Sequence, residues 1–308
     1  MEITMIDKQV LSSDGMHLLQ GRLYVPVEKP KGLFHIVHGM TEYIGRYHDF
    51  MCRMADAGYL CFGYDHLGHG RTARPEERGF IAGREGDVRL CEDVGRFAQT
   101  VRAEYGEDLP YYLLGHSMGS FIVRLAVANQ IVRPDKLIVM GTGGPNPAAG
   151  PGLVLLRLIR GIYGEKHISP FMEKIMFGGY HKRFEQGDPK AWLTKDMAIR
   201  EKYRNDPLCM FHFTVSALQD LVRLNKNANA PRWFQTVPKD LPILLVSGKE
   251  DPVGDYGKGV VTVCKKLQAA GCSVTMKLYE DCRHEVLNDT CKEDVSRDIC
   301  GFLTACAK

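Results

Sequence analysis

Tyr111-Tyr-Leu-Leu-Gly-His-Ser-Met-Gly119 is the stretch on which the reading of this chain turns. Its apolar opening, Tyr111-Tyr-Leu-Leu114, reads as a short strand buried on both faces, and helical spacing runs over residues 118–128. Between them Gly115-His-Ser-Met-Gly119 must turn a strand into a helix, which places Ser117 on a sharp, strained bend with its hydroxyl at the edge of a sheet. Glycine is required on both sides, because a side chain there would run into the neighbouring strand and helix. The helix that begins at Met118 points free N–H groups and its positive dipole end at the bend, where a developing oxyanion is favoured. Ser117 is therefore the candidate nucleophile. A chance Gly-Ser-Gly turn would lack the strand before and the helix after.

Working outward, Leu33-Phe-His-Ile-Val-His38, Tyr59-Leu-Cys-Phe-Gly-Tyr64, Lys136-Leu-Ile-Val-Met140, Ile243-Leu-Leu-Val-Ser247 and Val274-Thr-Met-Lys-Leu-Tyr279 are further strand-like runs. Helical spacing covers residues 50–57, 88–105, 257–270 and 291–305. Strand and helix in alternation predict an α/β chain with a mostly parallel, doubly wound sheet. Residues 10–25, with the turn Ser12-Ser-Asp-Gly15, predict an antiparallel hairpin at the sheet edge. The rhythm breaks after Gly144-Pro-Asn-Pro-Ala-Ala-Gly-Pro151 and resumes at Pro242. So long an interval is no ordinary connection. The expected division is a core of residues 1–145 and 236–308, with a helical cap (lid) inserted at 146–235 over the carboxyl edge of the sheet, where ligands bind in open α/β folds.

A serine nucleophile needs a charge cradle, a base and an acid. His38-Gly39-Met40 follows a strand, so the backbone N–H groups of Met40 and Met118 are the expected oxyanion donors, with His38 bracing the loop. The acid and then the base should follow Ser117 in the chain. Lys249-Glu-Asp251-Pro-Val ends the strand at residue 248, and Asp251 is preferred because Pro252 holds it extended; Glu250 is a rival and Asp255 a lesser one. Past the cap, His284 lies in the loop after the last strand, where it can reach back to take the Ser117 proton while the acid fixes its tautomer. Cys282 beside it makes only two potential zinc ligands, too few for a metal site.

These residues together resemble the monoglyceride lipase and lysophospholipase group of the α/β-hydrolase superfamily. The resemblance runs through Ser13-Asp-Gly15, His38-Gly-Met-Thr-Glu42 with Gly45-Arg-Tyr47, Asp65-His-Leu-Gly-His-Gly70, Gly115-His-Ser-Met-Gly119, Tyr203-Arg-Asn-Asp-Pro-Leu208, Asp251-Pro-Val and His284-Glu. It implies the α/β-hydrolase fold, a helical cap, no cofactor, and single-chain glycerides or related esters as small-molecule substrates. It also implies that Glu42 and Arg46 brace the oxyanion loop or line the alcohol end of the pocket, with His116 beside them as a substrate-side residue. Met40 and Thr41 stand where this group often carries a small residue and a glycine. A serine aminopeptidase or amidase of the same fold stays open, with Glu165, Glu173 or Glu185 as acids to hold a substrate amine; a non-catalytic receptor on the scaffold would commonly have lost a triad member.

The bulk numbers agree with an enzyme. Of 308 residues 44% are apolar, enough for a sizeable core, and a net charge of +3 argues against a nucleic-acid binder. Ten scattered cysteines without a CxxC pair predict reduced thiols and hence a cytoplasmic location. Residues 151–225 hold 12 Lys+Arg against 8 Asp+Glu, and Pro151-Gly-Leu-Val-Leu-Leu-Arg-Leu-Ile-Arg-Gly-Ile-Tyr163 is largely apolar, so the cap is a candidate for peripheral contact with an anionic membrane surface. Nothing in the sequence sets an oligomeric state.

Overall fold

The computed structural model describes residues 3–185 and 187–305. Strands β1 (Thr4–Leu11), β2 (Leu18–Val25), β3 (Leu33–Val37), β4 (Leu60–Tyr64), β5 (Tyr111–His116), β6 (Lys136–Met140), β7 (Ile243–Gly248) and β8 (Val274–Tyr279) form one sheet in the order β1-β2-β4-β3-β5-β6-β7-β8. From β4 through β8 neighbouring strands run parallel, whereas β1 with β2 and β2 with β4 are antiparallel, which is the expected edge hairpin. Every residue of β3 to β7 is buried, as their near-continuous apolar runs require of strands covered on both sides.

Ten helices are described: α1 (His48–Asp56), α2 (Gly86–Tyr105), α3 (Met118–Ala128), α4 (Ala149–Tyr163), α5 (Pro170–Phe177), α6 (Met197–Asn205), α7 (Val215–Ala228), α8 (Pro231–Thr236), α9 (Lys258–Ala269) and α10 (Lys292–Thr304). Alternation along the strands sends Leu114 and Ile138 to one apolar cluster with Met51 of α1 and Ile299 of α10. Leu113 and Val139 go to the other, with Val94 of α2, Ile122 of α3 and Val263 of α9. The sheet is thus doubly wound, and its strands deliver their carboxyl ends to one rim.

The chain between β6 and β7 contributes α4 to α8 and no strand of this sheet. Helix starts there are written in the sequence: Ser169, Asp196 and Thr214 cap α5, α6 and α7, their side-chain oxygens accepting from Met172, Ala198 and Ala217 N–H. Within the interval expected as cap, α7 rests on α2 and α3, its Leu218 and Leu224 joining the core cluster on that side, and α4 crosses α7.

One expectation needs correcting. The thiols are not all reduced: Cys282 and Cys291 form a disulfide, while the other seven described cysteines are free and Cys306 lies outside the described residues. The physical reason is the short helical turn Val286–Asn288, which folds the segment back and brings the two Cα atoms to 6.5 Å. No spacing rule reads such a turn.

Candidate active site

β5 ends at His116 and the chain pivots on Ser117 into α3. Ser117 has φ 53° and ψ −118°, a region that a side chain tolerates only when its surroundings hold it there. The Ser117 N–H donates to Met140 O at 2.9 Å, and the Ser117 carbonyl accepts from Ser120 N–H at 2.9 Å. A Cβ on Gly119 would lie 2.1 Å from the Val37 carbonyl oxygen, so only glycine lets α3 pass β3 this closely. The Ser117 hydroxyl, half-buried, makes no hydrogen bond among the described residues and is left for an incoming group.

Across the rim, β7 and β8 supply the other two groups. His284 Nδ1 and Asp251 Oδ2 are 2.9 Å apart, and both residues are buried. The second oxygen, Asp251 Oδ1, accepts from Val253 N–H at 2.8 Å, a turn that Pro252 sets up. Glu250 instead faces outward to Lys195 at 3.2 Å and Arg283 at 3.6 Å, and Asp255 is exposed. Of the three acids after β7, Asp251 is the one that meets the imidazole. The His284 ring lies 4.8 Å from the ring of His116, the residue before Ser117, and 5.1 Å from that of Trp192. Trp192 and Leu193 fix the histidine loop from above, their carbonyls accepting from His284 N–H at 3.4 Å and Glu285 N–H at 2.8 Å.

The loop after β3 lies directly against the bend, since a Cβ on Gly39 would sit 2.9 Å from Ser117 Cβ. Gly39 N–H is committed to Glu42 Oε1 at 2.5 Å, whereas the Met40 and Met118 amides donate to no acceptor among the described residues. Those two are the donors the sequence nominated. Thr41 has φ 53°, where a glycine would be relaxed; the Tyr203 hydroxyl of α6 secures it, bonding Thr41 Oγ1 at 2.7 Å and Thr41 O at 3.0 Å. From below, His38 donates from Nδ1 to Gly39 O at 2.8 Å and accepts His66 N–H at 3.1 Å; burial lowers its pKa, which suits a neutral ring used in both senses. The glycine-rich segment at residues 65–70 is thus a brace: Asp65 accepts from Ile44 and Arg71 N–H.

Glu42, Arg46 and His116 are brought together as one buried polar cluster. Glu42 Oε1 also accepts from Tyr47 OH at 3.0 Å and His116 Nδ1 at 2.9 Å, and Arg46 bonds Glu42 at 3.3 Å and both oxygens of Glu285 at 2.7 Å. Burial opposes charge here, yet His116 and Arg46 hold the Glu42 carboxyl far below its usual range. Burial likewise opposes a charged His116, but the Glu42 carboxylate raises its pKa above the ordinary histidine value. His116 Nε2, 3.4 Å from His284 O, then steadies the base loop as well. Sequence reasoning gave Trp192 no role at all, and it met Tyr47, Tyr203 and Glu285 only inside quoted motifs. Only the folded cap and loops place these side chains on the site.

Among the described residues no cluster of three or more His, Cys, Asp or Glu suits a metal ion. The three acids weighed as amine holders all have side-chain partners: Glu165 pairs with Arg160 at 3.0 Å and Glu185 with Arg283 at 3.0 Å, and Glu173 meets His212 Nδ1 at 2.8 Å.

This sheet order, with a serine on the bend after β5, defines an α/β-hydrolase. The serine aminopeptidase S33 family matches residues 28–291, and the chain belongs to it; it is a serine hydrolase. It is 28% identical to the monoglyceride lipase of Rattus norvegicus over 89% of this chain and 82% of that one. It is 25% identical to the monoglyceride lipase homolog of Monkeypox virus over 90% of this chain and 91% of that protein. Among solved structures, a highly thermostable carboxyl esterase from Bacillus coagulans superposes with TM-score 0.91 at 30% identity, covering 98% of both chains.

Proposed function

We propose that Ser117, His284 and Asp251 are the catalytic triad of this ester hydrolase, and that its substrates are carboxylic esters of one long acyl chain, monoacylglycerol-like or lysophospholipid-like. The observation that carries the reading is the buried Asp251–His284 pair at 2.9 Å, with the His284 ring 4.8 Å from that of His116, the residue before Ser117. His284 takes the Ser117 proton as the oxygen attacks the ester carbonyl, and the Met40 and Met118 N–H groups receive the oxyanion. Collapse expels the alcohol, protonated by His284. A water deprotonated by the same imidazole then releases the acid from the acyl-enzyme. Glu42, Arg46 and His116 hold the oxyanion loop and base loop in register at the alcohol end.

The names of the rat and viral relatives support a glyceride substrate. The ion pairs of Glu165 and Glu185, and the hydrogen bond of Glu173 to His212, speak against capture of a substrate amine, and so for ester over aminopeptidase chemistry. We assign residues 146–235 as the insertion, with α4 to α6 roofing the site and α7 and α8 anchoring it. Val154, Leu158 and Ile162 make an exposed apolar stripe on α4, continued by Phe171 and Ile175 of α5, with Arg157 exposed among them. That surface suits peripheral contact with an anionic lipid interface. No described helix is long and apolar enough to cross a membrane.

Turnover of monoacylglycerols, lysophospholipids, aryl esters and aminoacyl arylamides by the wild-type chain and Ser117→Ala tests the reading. Burst kinetics on the esters, their loss in Ser117→Ala and slow arylamide cleavage are expected. Activity surviving in Ser117→Ala ends it. Salt-sensitive co-sedimentation with anionic vesicles tests the interface separately, and no binding at low ionic strength ends that part.

A further inference from the structure

Arg124, one turn and a half into α3, is fully buried at 0% exposure. Among the described residues no carboxylate lies within ion-pair distance of it. A buried charge without a counter-ion is costly, so its surroundings should reveal why it is kept. Burial lowers its pKa to about 9, which leaves it a cation at neutral pH. It lies 4.2 Å from the Trp233 ring, and its Nη2 donates to Ala228 O and, at 3.1 Å, to Asn229 Oδ1, where the insertion returns to the core.

The other half of the guanidinium points toward the catalytic bend. Arg124 Nη1 donates to Thr142 Oγ1 at 3.1 Å, Thr142 Oγ1 and Ser120 Oγ are 2.9 Å apart, and Ser120 Oγ reaches the Ser117 carbonyl oxygen at 2.5 Å. A guanidinium only donates and a carbonyl only accepts. Thr142 Oγ1 thus accepts from both Arg124 Nη1 and Ser120 Oγ, and the Ser120 hydroxyl, shared between Thr142 Oγ1 and the Ser117 carbonyl, ties that carbonyl to the buried pair. That carbonyl shares a rigid plane with the Met118 N–H, because they are the two ends of a single peptide bond. Holding the oxygen sets where the N–H points.

We propose that Arg124 is a positioning residue of the oxyanion hole, acting through Thr142 and Ser120 on the peptide whose N–H is the Met118 donor. This rests on the triad reading above. Its consequence is a cation that serves the transition state without touching it, so substrate binding is unaffected.

The test uses Thr142→Val and Ser120→Ala, which break the relay and leave Arg124 in place, their double variant, and Thr142→Ser, which keeps the hydroxyl. Removing an oxyanion donor outright costs about 100- to 1,000-fold in kcat, so weakening one should cost about tenfold. Each single variant should lose about tenfold in kcat and in the rate of Ser117 labelling by a fluorophosphonate at a temperature well below its melt, with KM close to wild type; Ser120→Ala should also keep its melting temperature, whereas Thr142→Val, which strips Arg124 Nη1 of its acceptor, should melt lower. The double variant should lose no more than either single one, because both cut the same chain, and Thr142→Ser should behave as wild type. A kcat within twofold of wild type for Thr142→Val, losses that multiply in the double variant, or a fall in kcat that merely follows a fall in melting temperature would each overturn the proposal. Failure of the triad reading looks different: the wild-type chain itself would then resist fluorophosphonate labelling.

Discussion

Replacing Asp251 by asparagine isolates the most consequential hydrogen bond of the site, because the structure dictates how the new amide must sit. Asp251 Oδ1 accepts from Val253 N–H at 2.8 Å, so the amide oxygen of the variant has to occupy that side. Its NH2 group then falls at the Oδ2 position, 2.9 Å from His284 Nδ1, and donates where the carboxylate accepted. The imidazole is driven to carry its proton on Nε2, which is the nitrogen that must take the proton from Ser117. Nothing else changes shape. In a Ser-His-Asp triad this tautomer error lowers kcat by about 10,000-fold, or roughly 5.5 kcal/mol of barrier. Glu250→Gln, altering a carboxylate that faces Lys195 and Arg283, is the control and should stay within about twofold of wild type, as surface pairs contribute little. Saturating turnover of a p-nitrophenyl ester, with a thermal melt of each variant, decides the matter. If Asp251→Asn retains more than about a hundredth of wild-type kcat, or if Glu250→Gln is the more damaging change, the assignment of the acid is wrong.

The remaining predictions concern the supports of the oxyanion loop. Glu42→Gln removes the negative charge that His116 and Arg46 share, although its amide oxygen still accepts and Arg46 keeps Glu285, and should destabilise the fold by about 1–3 kcal/mol between pH 4.5 and 6.5. The His116 pKa is raised, so its contribution is complete below the ordinary 6.5 and fades as pH rises through the folded value. The Glu42 pKa is lowered, so its contribution is complete above the ordinary 4.5 and fades as pH falls. The melting-temperature gap between wild type and Glu42→Gln should therefore be widest between pH 4.5 and 6.5 and narrow in alkali; a gap that widens toward pH 9 contradicts the pairing. Tyr203→Phe removes two hydrogen bonds to Thr41 and should lower kcat about fivefold, one bond's worth of loop order, with unchanged kinetics as the contrary result.

The parts of the site that were legible in the sequence are those fixed by local chain geometry. Gly115-His-Ser-Met-Gly119 lies between a buried strand and a helix, and only a strained bend joins them, so Ser117 was readable without any long-range contact. Asp251 and His284 followed from strand ends, because parallel strands deliver their carboxyl termini to one rim. What stayed hidden depends on tertiary approach. Trp192 reaches His284 through a segment of turns with no period to read. The bond from Arg46 to Glu285 joins residues 239 positions apart. Helix α7 has the spacing of any amphipathic helix, and nothing in that spacing says that it lies on α2 and α3. Cys282 and Cys291 were counted with the scattered thiols because their meeting is the work of a turn.

The backbone bonds from His284 and Glu285 to Trp192 and Leu193 tie this stretch between β6 and β7 to the loop that carries the proposed base. Admitting a greasy substrate by lifting that stretch would drag the imidazole off station. Helices α4 and α5, whose outward faces carry Val154, Leu158, Ile162, Phe171 and Ile175, make no such backbone bond to His284 or Glu285 among the described residues. If substrate enters beside α4 and α5, a spin label on α5 should report motion on substrate binding that a label beside Trp192 does not.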